Sequence, residues 1–85
     1  MSLDYELIKH AKNVMRERNI PLNYLEQTIS YPDYTYQDET YLELEYRIKS
    51  IKEYDKRLLR VIINVSTKPM RIVTLFFDIR VRRKI

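Results

Sequence analysis

Glycine is absent from this 85-residue sequence, and its absence excludes many kinds of functional site at once. The P-loop, the Rossmann fingerprint and the Gly-x-Ser-x-Gly elbow all need backbone conformations that glycine adopts most readily. Cysteine is absent too, which excludes disulfides, thiolate zinc sites and cysteine nucleophiles. His10 is the single histidine, so one chain holds no multi-histidine metal site. We therefore expect neither a cofactor nor a bound metal.

The composition is that of one small globular domain, which we place at residues 1–85. Apolar residues make up 45% of the chain and charged residues 33%, a balance typical of folded proteins. No apolar stretch approaches the ~20 residues that a membrane-spanning helix needs, and no signal-peptide pattern follows the N-terminus. These features predict a cytoplasmic protein that does not contact a membrane.

Acidic and basic residues are unevenly divided along the chain. Residues 1–46 hold nine acidic and four basic side chains, a net charge of −5. Residues 47–85 hold twelve basic and three acidic side chains, a net charge of +9. This asymmetry favours either a surface for a polyanion or contact between the acidic and basic segments, within the fold or across a homodimer.

Residues 5–29 have the spacing of two amphipathic helices. Asp4 is a suitable N-cap for a helix over residues 5–19, whose apolar side chains fall within an arc of about 120°. Pro21, which is favourable in a first helical turn, begins a second helix at residues 21–29. The residues predicted to face inward are Leu7, Ile8, Ala11, Val14 and Met15 in the first helix and Leu22, Leu25 and Ile29 in the second.

From residue 42 the apolar spacing changes to a period of two, which is typical of β-strands. Three strands are predicted, at residues 42–49, 57–66 and 70–83, with short polar turns that favour antiparallel neighbours. The predicted fold class is α+β. Two N-terminal helices pack on one face of a three-stranded antiparallel sheet, in the order ααβββ.

The second face of this predicted sheet stays uncovered and carries most of the charged strand residues. We expect arginines from all three strands to converge there on one ligand. The side chains assigned to this face are Glu43, Glu45, Arg47, Lys49, Arg60, Ile62, Asn64, Phe76, Asp78, Arg80 and Arg82.

The first predicted helix contains a recognisable sequence pattern. His10-Ala11, followed by Met15 and Arg18-Asn19-Ile20, resembles the H-A-x-x-x-M-x-x-R-G-I opening of a small uncharacterised prokaryotic domain family. Asn19 stands where that family has glycine. Asparagine also tolerates the left-handed conformation that ends many helices, so we expect such a conformation here.

The strands resemble those of BrnT, a ribonuclease toxin with the RelE/ParE-like fold. BrnT has an E-x-R strand, an L-L-x-V strand and an R-I-I-S strand after its two helices. The matching positions here are Glu45 with Arg47, Leu58-Leu59-Arg60-Val61 and Arg71-Ile72-Val73-Thr74. The resemblance implies a toxin-like domain that cleaves RNA without a metal and pairs with an antitoxin protein.

Two sets of residues are predicted to carry this function. Metal-independent RNA cleavage needs a base that activates the 2′-hydroxyl, for which Glu45 and His10 are the candidates. It also needs positive charge at the phosphate, which Arg47 and Arg80 can supply. The predicted RNA-binding residues are Arg60, Arg71, Arg82, Arg83 and Lys84.

Other interpretations of the same residues stay open. His10 and Arg18 suit structural roles. For Arg18 that role is an ion pair with Glu43 or Glu45, or a helix cap. The strand arginines suit ion pairs with carboxylates on neighbouring strands. The tyrosines at residues 31–41 favour packing of a loop, with base stacking as the alternative. The rival functions are a protein-interaction module, in which the acidic and basic segments drive dimerisation or partner docking, and a DNA-binding regulator.

Overall fold

The computed structural model describes residues 4–78 of the chain. The predicted end of the last strand lies outside these residues, as do the predicted site residues Arg80, Arg82, Arg83 and Lys84. The described elements are β1 (Tyr5–Leu7), α1 (Lys9–Glu17), α2 (Leu22–Ser30), β2 (Tyr34–Gln37), β3 (Leu44–Ile51), a 3-10 turn (Lys52–Tyr54), β4 (Arg57–Asn64) and β5 (Met70–Asp78).

The sheet has five strands in the order β1-β5-β4-β3-β2. β1 is parallel to β5, and the other neighbours are antiparallel, so the sheet is mixed. The predicted three-stranded antiparallel sheet is therefore wrong, although the class remains α+β and the three predicted strands form its β3-β4-β5 part. Neither α1 nor α2 is long and apolar enough to span a membrane.

Strand β1 replaces the first turn of the predicted first helix. Tyr5 lies beside Met70 and Leu7 beside Ile72, and the Ile8 N–H donates to the Ile72 carbonyl at 3.3 Å. The Tyr5 hydroxyl donates to Glu26 at 3.1 Å. Burial, that hydrogen bond and the negative charge of Glu26 raise the pKa of Tyr5 to about 12. Pairing with a strand 65 residues away thus outweighs the helical spacing of this segment.

Strand β2 lies within the segment predicted to be an acidic connection. It pairs with β3 from Tyr34 opposite Ile48 to Gln37 opposite Glu45, and all four of its residues are exposed. It forms one edge of the sheet. Because exposed polar and tyrosine residues lack a buried apolar face, their spacing gave no strand signal.

Both helices pack on the same face of the sheet, where the core lies. The predicted inward positions of Ala11, Leu25 and Ile29 are confirmed, whereas Leu22 is half exposed. The buried core residues are Ala11, Ile20, Leu25, Ile29, Ile51, Leu59, Val61, Ile63, Ile72 and Leu75.

The register of β3 reverses the predicted facing of its side chains. Arg47 lies opposite Val61, a core residue on the helix-covered face, and Ile48 lies opposite Arg60. Glu45, Arg47 and Lys49 therefore share the face of the helices, and the prediction that they line the uncovered face with Arg60 is wrong. Alternation fixes which residues of a strand share a face, but pairing decides which face is covered.

Three non-glycine residues adopt left-handed backbone conformations. Asn19 (φ 53°) ends α1, as expected, and Asp55 (φ 56°) and Lys56 (φ 56°) form the turn between β3 and β4. After Asn19 the Ile20 N–H donates to the Met15 carbonyl at 2.9 Å, and Ile20 is buried in the core. The left-handed residue therefore directs the chain from α1 into α2.

We expect Asn19→Ala to be less stable than Asn19→Gly by about 1 kcal/mol, because a Cβ atom disfavours a positive φ and glycine has none. Urea unfolding of the two variants measures the difference. The matched pair at Asn23, a residue inside α2, should show the opposite order, since alanine favours a helix over glycine by about 1 kcal/mol. Equal stability of the two Asn19 variants would contradict the prediction.

Candidate nucleic-acid interface

The face of the sheet without helices holds one connected group of polar and aromatic side chains. Arg60, in the central strand β4, is its middle member. We call the group of Tyr36, Tyr46, Arg60, Phe76 and Asp78 the Arg60 cluster, and the face that carries it the open face. Cross-strand register brings four strands together here, because Tyr36 pairs with Tyr46 and Phe76 pairs with Arg60.

Arg60 is held by a carboxylate and surrounded by rings. Its Nη2 donates to Asp78 Oδ2 at 2.7 Å, and its Nη1 donates to the Tyr36 hydroxyl. The guanidinium carbon lies 6.0 Å from the Tyr36 ring centre, 5.9 Å from that of Tyr46 and 6.0 Å from that of Phe76. The Arg60 side chain is 17% exposed and that of Asp78 is 3% exposed. Such a desolvated pair fixes the guanidinium in one orientation.

Tyr36 and Tyr46 form an aromatic stack on the open face. Their ring centres are 4.9 Å apart and the ring planes differ by 6°. Tyr36 remains 45% exposed although it lies in the stack. An exposed ring of this kind offers a flat surface for a further planar group, and the adjacent guanidinium adds a cation–π contribution.

Asp38, the residue after β2, is hydrogen-bonded to the Arg60 cluster through Tyr46. Its Oδ1 accepts the N–H groups of Thr40 and Tyr41, each at 2.8 Å, and its Oδ2 accepts the Tyr46 hydroxyl at 2.8 Å. These hydrogen bonds, with that from Tyr41 the largest, lower the pKa of Asp38 below its ordinary value. The bond to Asp38 raises the pKa of Tyr46. Tyr36, Asp38, Tyr46 and Arg60 line a shallow cavity of about 570 Å³.

Glu45 and Arg47, both predicted as catalytic, lie on the helix-covered face. Arg47 Nε donates to Glu45 Oε2 at 2.6 Å, and its Nη1 donates to the Ile29 carbonyl at 2.8 Å. Ile29 is in the last turn of α2, whose final carbonyls lack partners within the helix. This pair therefore joins α2 to the sheet, and the structure does not bring it together with Arg60.

The remaining predicted residues are dispersed. His10 is exposed near the start of α1. Arg71 pairs with Glu6 of β1 at 3.3 Å, and both side chains are more than half exposed. Arg18, predicted as an ion-pair or cap residue, is the C-cap residue of α1; its side chain is exposed and makes no ion pair within residues 4–78. Of the predicted catalytic and RNA-binding residues within residues 4–78, only Arg60 belongs to the cluster, although Phe76 and Asp78 were also predicted on the open face.

Sequence reasoning missed the stacking role of Tyr36 and Tyr46. Tyr34 and Tyr36 are two residues apart and therefore share a face once this segment forms a strand, but their spacing does not itself indicate a strand. The sequence favours loop packing for Tyr36, whose acidic neighbours argue against contact with RNA, and it places Tyr46 among the alternating apolar residues of the first predicted strand.

Comparison with known proteins identifies the family of this chain. Residues 7–77 match the domain of unknown function DUF4258, and the match includes both helices, β2, β3, β4 and all but the last residue of β5. The chain therefore belongs to the DUF4258 family. No curated protein and no solved structure matches it.

We expect Asp38→Asn to destabilise the fold by an amount that depends on pH. The lowered pKa of Asp38 means that its ionised form stabilises the folded state, fully above its ordinary value of 3.8. That stabilisation is lost as the pH falls through the lowered pKa. Unfolding midpoints of wild type and variant should therefore differ near neutral pH and converge in acid.

Glu39→Gln is the matched control for this prediction, because the Glu39 side chain is exposed and makes no hydrogen bond within residues 4–78. Its midpoint should follow that of wild type at every pH. A constant gap between wild type and Asp38→Asn down to pH about 2 would contradict the assigned role.

Proposed function

We propose that this domain binds single-stranded RNA on the open face. The observation that carries the proposal is the stacked Tyr36–Tyr46 pair, exposed to solvent and adjoined by the fixed guanidinium of Arg60. Unpaired bases in RNA bind to aromatic rings and to arginine planes on protein surfaces. An exposed ring beside an arginine on an uncovered sheet supplies both partners.

The charge of the cluster favours bases over phosphates as its ligands. Arg60 is one positive charge beside two carboxylates, Asp78 and Asp38. A phosphate would be repelled by those carboxylates, whereas a base gains stacking energy and offers N–H groups to acceptors such as Asp38. Other residues would then bind the phosphate backbone. The predicted candidates are Arg80, Arg82, Arg83 and Lys84.

The resemblance of the chain to BrnT and to RelE/ParE toxins supports a further step, which is cleavage of the bound RNA without a metal. In that reaction a base removes the proton of the 2′-hydroxyl, and the 2′-oxygen forms a bond to phosphorus. The bond from phosphorus to the 5′-oxygen breaks, and that oxygen takes a proton from water. The products are a 2′,3′-cyclic phosphate and a 5′-hydroxyl. Arg80, which lies outside the described residues, remains the predicted residue for stabilising charge on that phosphate.

Tyr36→Ala should weaken binding of a labelled RNA of about ten nucleotides by roughly 5-fold to 150-fold, because stacking contributes about 1–3 kcal/mol per base. Tyr36→Phe keeps the ring and should retain most of the affinity. Fluorescence anisotropy at low salt measures both. Tyr31→Ala is the matched control, since Tyr31 is 75% exposed and makes no ring contact within residues 4–78. Equal losses at Tyr31 and Tyr36 would exclude the stacked pair as the site.

Cleavage is tested separately from binding. The purified protein should cleave RNA in the presence of a chelator and leave 2′,3′-cyclic phosphate ends, while DNA of the same sequence stays intact. Arg80→Gln should slow cleavage by about 100-fold, as loss of a transition-state donor does elsewhere. Intact RNA at saturating protein would mean that the domain binds without cleaving.

The alternative function is a protein-interaction module that uses the acidic and basic parts of the chain for dimerisation or partner docking. The exposed edge strand β2 favours it, because an unpaired strand edge can accept another strand. Sedimentation distinguishes the two functions. A stable dimer that weakens with salt and binds no RNA would favour the interaction module over the RNA-binding domain.

A further inference from the structure

A second cavity lies on the helix-covered side of the sheet, where the α1–α2 connection meets the turn before β4. Its volume is about 450 Å³. Its walls include Arg18, Tyr24, Tyr54, Arg57 and Phe77, and we call it the Arg18–Arg57 pocket. Phe77 packs against the core under the helices, so the pocket and the Arg60 cluster lie on opposite faces of the sheet.

Within the described part of the chain, the two arginines of this pocket have no carboxylate partner. Neither Arg18 nor Arg57 makes an ion pair or side-chain hydrogen bond within residues 4–78, whereas Arg47, Arg60 and Arg71 each contact a carboxylate. The Arg57 Nε is buried and has no hydrogen-bond partner there. Two uncompensated guanidinium groups at one cavity favour an anion as its ligand, because planar guanidinium groups match phosphate oxygens.

Three aromatic rings line the pocket beside the arginines. The ring centres of Tyr54 and Phe77 are 4.7 Å apart, and Tyr24 lies 6.4 Å from Tyr54 and 6.5 Å from Phe77. The Arg57 guanidinium carbon lies 5.0 Å from the Tyr54 ring centre. The contacts among the three rings hold them in place, and a guanidinium that lies over a ring also presents a plane on which a base can stack.

We propose that the Arg18–Arg57 pocket binds a nucleoside monophosphate, with its phosphate on the two arginines and its base against the aromatic wall. A ligand for this pocket needs an anionic group and a flat apolar group, and a mononucleotide has both. The cavity volume is within the range of small-molecule sites, about 300–1,000 Å³. This site is separate from the open face and does not rest on the proposed RNA-binding function.

The test is a titration of the full chain with AMP, adenosine and inorganic phosphate, followed by NMR chemical shifts and calorimetry. AMP should bind at least about tenfold more tightly than adenosine or phosphate, because both halves of the ligand contribute. Arg18→Gln and Arg57→Gln should each weaken AMP binding by about tenfold or more. Arg18 is exposed, so its variant should fold even if the Arg57 variant does not.

Lys12→Gln is the matched control, since it removes one exposed positive charge from α1 that does not line the pocket. It should leave AMP binding unchanged. Absence of AMP binding, binding of phosphate as tight as that of AMP, or an equal loss in Lys12→Gln would each overturn the proposal.

Discussion

The alternation of side chains along β4 places core residues on one face of the strand and Arg60, the middle residue of the candidate RNA site, on the other. β4 is the central strand, and Leu59, Val61 and Ile63 are fully buried beneath the helices. Burial of such side chains contributes roughly 1.5–3 kcal/mol each, enough to fix the register of the strand. Arg60 lies between two of these core residues and must therefore project from the open face. The position of the guanidinium follows from the packing of its neighbours.

Within residues 4–78, Arg47, Arg60 and Arg71 contact carboxylates, whereas Arg16, Arg18 and Arg57 make no ion pair. The carboxylates orient the arginines that contact them. Arg47 and Arg60 each donate a second hydrogen bond as well, Arg47 to the Ile29 carbonyl and Arg60 to the Tyr36 hydroxyl. Arg18 and Arg57 have no such partner and share one cavity with aromatic walls. Partnered arginines in this fold hold elements or rings in place, and the unpartnered pair has bonding capacity left for an anion.

A chain without glycine must place other residues where the backbone turns left-handed. Asn19 does so between the helices, at little cost for asparagine. Lys56 does so in the turn before β4, where a longer side chain costs about 1 kcal/mol or more. Asn19 lines the Arg18–Arg57 pocket, and Lys56 directly precedes the pocket residue Arg57. The turns that shape that pocket thus depend on residues that tolerate this conformation less well than glycine.

The sequence by itself determined α1, α2, the three strands β3, β4 and β5, the left-handed Asn19 and the placement of Arg60 away from the core. Each follows from spacing or conformational preference within one segment. Only the tertiary structure decided that residues 5–7 form a strand, that β2 pairs at the opposite edge and that Arg47 lies beneath the helices. The physical reason is that strand pairing joins residues far apart in sequence, such as Tyr5 and Met70. Alternating polar and apolar residues fit either face of a strand until its neighbours are in place.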